Sequence, residues 1–316
     1  MALPANTLTT YSAVGDREDL EDTIYKIAAS KTPFTTNIGK TKVSSAYHEW
    51  QTRTLRTPNG ENAALQGDDA AATAPKTTTR VGNRTQIFTE VGSVSGTQEA
   101  VDKAGRDSEM AMQKLDKGEE VATDIEAAFL GNRPSVAGSA GVAPKTAGAP
   151  AWMVTNASRG TGGASGGFGS GAVAAAVNGA QRPFTEALLK AVLATAFGNG
   201  AAPGTAYMGA AHKQTFSTFT GIAQNRTETG GKLATITGGA DVYVSDFGRI
   251  TTVPVQYGLT RDVLLVDHDY WAKGTLRPMK SITLAKTGDS ERFEMVTEVT
   301  LVCKNERGSA IIADLS

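Results

Sequence analysis

Two alternating stretches, SAYHEWQTRTL (Ser45–Leu55) and KTTTRVGNRTQIFTEVGSVSGTQ (Lys76–Gln98), flank the polar run RTPNGENAALQGDDAAATAP (Arg56–Pro75). Alternation with aromatic and β-branched residues marks strands. Pro58, Asn59 and Gly60 are turn formers between them. The pattern is an extended β-hairpin with a long polar tip and little apolar surface of its own to bury. An isolated hairpin is marginal in water. Whatever fold contains this segment must provide a second surface for it to lean on.

The remaining segments offer that surface. Residues 1–15 are small, polar and aperiodic and read as an arm; DREDLEDTIYKIAASKTPF then predicts a short helix that stops before Pro33. Between Ala100 and Leu130, Val101, Ala104, Ala111, Met112, Leu115, Val121, Ala122, Ile125 and Phe129 recur at steps near three and four. A helix over that whole span would be ~45 Å long, the length of a structural spine, and Gly131 with Pro134 would stop it. Residues 135–182 are rich in Gly, Ala and Ser, with Trp152 as the largest anchor, and read as a composition break and Gly-rich excursion. PFTEALLKAVLATAFGNG predicts a compact helix with Thr185 as N-cap, an apolar face of Leu188, Leu189, Val192, Leu193, Ala196 and Phe197, and Gly198 just past its end. TAYMGAAHKQTFSTFTG reads as a strand running into another helix, with Phe216 and Phe219 near one another. DVYVSDFGRITTVPV is a hairpin about Asp246–Gly248, DVLLVDHDYW contains a buried strand, and the last forty-odd residues alternate as a further hairpin. The class is α+β, with helices between β-rich ends.

Composition removes several function classes. At 316 residues there is room for one large domain or two modest ones. A formal net charge of −1 argues against a globally nucleic-acid-binding surface. A single cysteine, Cys303, forbids an intrachain disulfide and fits a reducing cytosol. No window approaches the ~18 apolar residues of a membrane span, and MALPANTLTTYSAVGDREDL lacks the pattern of a signal peptide. The expectation is a soluble protein made in a cytoplasm, with no membrane partner.

The motifs that could carry chemistry fail one by one. Gly39-Lys40-Thr41 has Phe34 where a phosphate-binding loop needs glycine. Gly163-Ala164-Ser165-Gly166-Gly167 matches the spacing of a hydrolase nucleophile elbow, but its flanks are more glycine instead of a strand and a helix. Gly167-Phe168-Gly169 with Ala172 echoes a dinucleotide loop with the same defect. In a strand, Asp267 and Asp269 would share a face and could meet one metal while His268 points away, yet nothing nearby supplies a third or fourth ligand. His48 and His212 stand in no motif and read as packed or hydrogen-bonded. Cys303, mid-strand in EVTLVCKN, reads as a small buried apolar residue. No catalytic, cofactor-binding or metal-ligating residue is assigned, no cofactor is called for, and the chain is read as a non-enzyme.

The order of parts carries more information: arm, long hairpin, long helix, Gly-rich excursion, compact α/β lobe, β-rich return. Three blocks match in words as well as order. They are DLEDTIYKIAASKTPFTTNIG followed by AYHEWQTRTL; AGAPAWMVTN after the long helix; and LLVDHDYWAKGTLRPMKSITLAKTGDSERFEMVTEVTLVCKNERGSAIIADL at the end. In the last, Asp267, Trp271, Leu276-Arg277-Pro278, Leu284-Ala285-Lys286-Thr287-Gly288-Asp289, Glu298 and Asn305 fall in step. The chain thereby resembles, over nearly its whole length, the major capsid proteins of tailed bacteriophages with the Hong Kong 97-type capsid fold.

The resemblance implies a division of labour. Residues 1–40 would be an N-terminal arm and 41–97 an extended E-loop lying over a neighbouring subunit. Residues 98–179 would hold the spine helix of the peripheral P-domain and the Gly-rich excursion. Residues 180–262 would be the axial A-domain that gathers into pentamers and hexamers, and 263–316 the C-terminal return to the P-domain sheet. The implied function is self-assembly into an icosahedral shell around a double-stranded DNA genome, in the virion, after assembly in a host bacterial cytoplasm. Implied partners are copies of itself, a portal protein, non-specifically packaged DNA and, as optional additions, scaffolding and decoration proteins. Two rivals remain: an encapsulin-like compartment holding protein cargo, and a metal-dependent hydrolase centred on Asp267 and Asp269. Charge adds one expectation of its own. Residues 40–90 carry a surplus of two positive charges, and Asp16–Asp22 a surplus of four negative ones, so acidic arm and basic loop would meet between subunits.

Overall fold

The computed structural model describes residues 32–56, 58–67, 69, 74–103, 105–219 and 241–316. Most of the expected arm, its helix and the acidic run Asp16–Asp22 lie outside the described residues. One helical turn, α1 (Pro33–Asn37), leads into β1 (Gly39–Lys42). β2 (Tyr47–Thr52) and β3 (Thr79–Arg84) form the antiparallel hairpin, in register from Tyr47 with Arg84 to Thr52 with Thr79. The second β-rich stretch is two strands, not one. At Thr85 the chain leaves the hairpin, the buried Thr85 hydroxyl donating to Glu298 at 2.7 Å, and β4 (Gln86–Ser95) enters a different sheet.

The predicted spine helix begins nine residues later than its periodicity suggested. A short α2 (Gly96–Ala100) ends at Val101, and α3 runs from Glu109 to Leu130, 22 residues or ~33 Å. Capping chemistry decides this. The Ser108 hydroxyl accepts from the Ala111 amide, while the Glu99 carboxylate accepts from the Ser108 hydroxyl (2.7 Å) and the Glu109 and Met110 amides (3.0 and 3.3 Å). Serine competing for helix-terminal amides fixes a start that apolar spacing alone does not see. Val101 and Leu115, placed on the apolar stripe by spacing, are exposed.

The Gly-rich excursion is more than a loop, because part of it is core. It holds α4 (Ala149–Trp152), β5 (Ala157–Ser158), β6 (Gly167–Gly169) and β7 (Ala172–Ala174). Ala147, Ala149, Ala151 and Met153 are fully buried. Small residues are needed there for close backbone approach: a Cβ on Gly148 would sit 1.9 Å from the Gly131 carbonyl oxygen, and one on Gly160 2.1 Å from that of Ala180.

The lobe follows with α5 (Glu186–Gly198), β8 (Thr205–Met208) and α6 (Ala210–Ser217). The Thr185 hydroxyl caps α5 as expected, but the helix takes in Gly198, and it is Gly200, at φ +82°, that turns the chain away. Phe197 is exposed rather than part of the buried face. β9 (Val242–Ser245) and β10 (Gly248–Pro254) make the expected hairpin, and β11 (Val263–Val266) is buried at every residue. The ending supplies β12 (Trp271–Thr283), β13 (Ser290–Cys303) and β14 (Ala310–Ile312).

Two sheets organise these elements. One has the order β1-β12-β13-β4, with α3 across one face. The other runs β5-β14-β11-β8-β10-β9, and its central strands β14, β11 and β8 are buried on both faces. Along β8, β11 and β14 the side chains alternate between two cores. Tyr207, Leu264, Val266 and Ile311 face α3 and Trp271. Met208, Val263, Leu265 and Ile312 face the side of α5 and α6. A division of the chain at residue 263 would therefore separate hydrogen-bonded neighbours, since β11 and β14 belong to the sheet of the lobe and only β12 and β13 return beside α3.

Candidate assembly surfaces

The β2–β3 hairpin divides into an anchored base and a bare tip. At the base, Trp50 Nε1 donates to the Cys303 carbonyl (2.8 Å), and its ring lies 5.5 Å from Trp152, which stacks on Phe168. Asn83 is fully buried; its Nδ2 donates to the Leu301 carbonyl (2.7 Å) and the Thr146 hydroxyl (3.1 Å), and its Oδ1 accepts from the Ala147 amide (3.0 Å). Beyond this base no described residue buries the hairpin. From Arg53 to Arg80 every described residue is exposed, Leu55 at 85% and Leu65 at 81%. A second apolar surface crosses the rim of the lobe, where the exposed Phe197 and Phe247 rings meet at 4.9 Å beside exposed Val244.

The sequence-nominated chemical residues are spoken for or scattered. Asp267 is not in a strand; its Oδ1 accepts from the Asp269 amide (3.1 Å), capping a single 3₁₀ turn, His268–Tyr270. His268 Nε2 meets the Tyr207 hydroxyl at 2.7 Å. Among the described residues no three His, Cys, Asp or Glu side chains converge as a metal site. His48 lies against Trp50, and His212 is buried with its ring edge to Phe184. Ser165 accepts from Arg159 Nε (3.0 Å) and sits between no strand and helix of elbow form. Gly39-Lys40-Thr41 is strand, paired parallel with Ala272–Gly274. Cys303 is buried, which holds its thiol well above the ordinary range. Among the described residues no helix is long and apolar enough to cross a membrane.

Two buried carboxylates escaped sequence reasoning. Asp314, at φ +60°, accepts from the Gly160 and Gly179 amides (2.9 and 2.8 Å) and pairs with Arg261 at 3.2 Å, tying the Gly-rich segment to the chain end. Glu126 on α3 accepts from the Phe34 and Thr35 amides (2.8 and 2.7 Å) and from the Thr35 hydroxyl. Burial pushes its carboxyl up, against the opposing hydrogen bonds. A charged residue on the buried stripe between Ile125 and Phe129 was the one readable sign of it.

Among the described residues, the geometry offers exposed surfaces and no assembled cluster of the nominated chemical residues. A family model described as the SU10 major capsid protein matches residues 3–316. The chain belongs to the SU10 major capsid protein family. A curated relative, the major capsid protein of Escherichia phage Phieco32, is 31% identical over 121 residues, a match spanning 38% of this chain and 34% of that relative's length. Among solved structures, the capsid of a native GTA particle superposes with a TM-score of 0.60 at 11% identity, covering 97% of each chain. The phage G major capsid and decoration protein assembly superposes at 0.53 with 12% identity, covering 100% of each chain. The chain has the Hong Kong 97-type fold, and its family and structural neighbours are structural capsid proteins. Neither the compartment reading nor the hydrolase reading finds support in these similarities.

Proposed function

We propose that this capsid protein assembles through pentamers and hexamers into an icosahedral shell around double-stranded DNA, built in a host bacterial cytoplasm. The observation that carries the proposal is the bare tip: a hairpin bolted at its base whose outer half, with Leu55 and Leu65, is uncovered within its own subunit. Exposed apolar side chains on a projecting element are what a partner surface buries, and a copy of the same chain is the partner every shell supplies.

In this account residues 1–40 are the arm, 41–97 the E-loop over a neighbour, 98–179 the P-domain with its spine and packed Gly-rich segment, and 180–262 the axial A-domain. Residues 263–316 supply both β12–β13 of the P-domain sheet and strands of the A-domain sheet. The Phe197–Phe247 ledge lies within the axial segment and meets a second copy there. A portal protein occupies one vertex, DNA is held without sequence recognition, and scaffolding and decoration proteins are optional partners.

The acidic run Asp16–Asp22 and the basic loop 40–90 attract across subunits, so assembly weakens as salt rises and screening shortens. Size exclusion and electron microscopy of purified protein test the whole. Capsomers, sheets or shells are expected, in lower yield at high ionic strength. A monodisperse monomer at assembly concentrations contradicts the shell, and salt-independent shells contradict the charge pairing.

A further inference from the structure

Glu126 is a carboxylate with no exposed surface, covered by α1 and held by three donors from that one helical turn. A five-residue helix has no stability of its own, so α1 persists by docking. Docking buries two things at once. One is Phe34, whose ring meets Tyr207 edge-on at 5.4 Å and Trp271 at 6.1 Å; this favours the docked position. The other is the charge on Glu126, which has no ion-pair partner among the described residues, and burying an unpaired carboxylate opposes docking. We propose that α1 is a releasable strap, and that its release, which returns Glu126 to water, is governed by the proton on that carboxyl.

The sign follows from linkage. With α1 docked, burial outweighs the three hydrogen bonds and raises the carboxyl above its usual range. With α1 lifted the carboxyl is hydrated and titrates as an ordinary glutamate. The docked state therefore binds the proton more tightly, so docking is firmer in mild acid and weakens as pH rises through the raised value. The groups around Glu126 do not reverse this. α1 contributes Phe34, Thr35 and Asn37, none of them titratable in this range. From β8 comes Tyr207, whose phenol, pushed up to about 12 by burial, stays neutral. Behind it Asn37 Nδ2 donates to the Tyr207 oxygen (3.0 Å), whose hydroxyl meets His268. Asp124 on α3 is raised first by partial burial and then by Glu90 and Glu120, with Arg133 and Lys117 opposing. The strap does not depend on the shell reading. Within that reading, it sets where the root of the N-terminal segment is fixed.

Hydrogen exchange of full-length unassembled protein between pH 5 and 8, corrected for intrinsic rates, reads the opening of Phe34 and Thr35 directly. The strap requires an opening ratio that rises with pH, by at most about tenfold per unit, and a Glu126→Gln protein in which the slope disappears. Thr35→Ala, which removes one donor and leaves the charge buried, keeps the slope and opens more at each pH. A wild-type opening ratio that is flat or falls with pH overturns the proposal, as does a Glu126→Gln protein with the wild-type slope. Should Glu126→Gln fail to fold, the wild-type and Thr35→Ala slopes decide alone.

Discussion

At Asn83 a single amide joins three segments, β3, the Gly-rich run at Thr146–Ala147 and β13. An Asn83→Leu substitution of similar volume leaves the Ala147 amide and the Leu301 carbonyl buried without a partner, and is expected to cost ~2–4 kcal/mol in a urea titration. His212 gives the pH dependence at this scale. Its ring is buried with neither nitrogen bonded among the described residues, and burial lowers its affinity for a proton. The unfolded chain then binds that proton more readily. Stability present above the ordinary histidine value is lost as pH falls below about 6.5. His48 and His268 are lowered by burial as well and add to the loss. The raised carboxyls of Glu126 and Asp262 work the other way. A His212→Leu protein is expected to lose less stability than wild type between pH 7 and 5.5 by the same titration; an equal loss would contradict the assignment. Residues such as Trp152 and Cys303 were legible because size and hydrophobicity alone place them inside. Glu126 and Asp314 were not, since their partners are backbone amides 91 to 154 positions away along the chain.

Among the elements, the hairpins and the lobe helix follow from alternation, turn residues and the Thr185 cap, all of them local signals. The errors have two sources: a local cap that overrode apolar spacing, and close backbone approaches between distant parts of the Gly-rich run. Apolar spacing carried the spine helix back to Ala100, but Glu99 and Ser108 together cap it at Glu109. Low complexity marked 135–182 as an excursion, but the small side chains are there so that backbones can touch, as at Gly148. A Gly148→Ala substitution must push against main chain and is expected to lower stability by ~2 kcal/mol or more by urea titration. The hairpin tip, in contrast, contributes little to its own subunit. Replacing residues 56–75 with a short Gly-Ser linker is expected to leave the urea midpoint nearly unchanged while abolishing particles by electron microscopy. A large loss of stability would show that the tip is folded onto its own body.

At the scale of the whole molecule, the described residues build two apolar cores around their sheets. A six-stranded sheet lies between two apolar clusters, and a four-stranded sheet is backed by α3. The interior accounts for the stability of the subunit, and in the proposed account the projecting tip is covered by a neighbour. One labelling experiment addresses this claim. Because Cys303 is the single cysteine and is buried, a Leu65→Cys protein carries one accessible thiol, at the tip. Its maleimide labelling rate is measured in dissociated subunits and again in assembled particles. The account predicts fast labelling when dissociated and at least about tenfold slower labelling once assembled, a protection of at least ~1.4 kcal/mol. Equal rates in the two states, with particles intact, would contradict it.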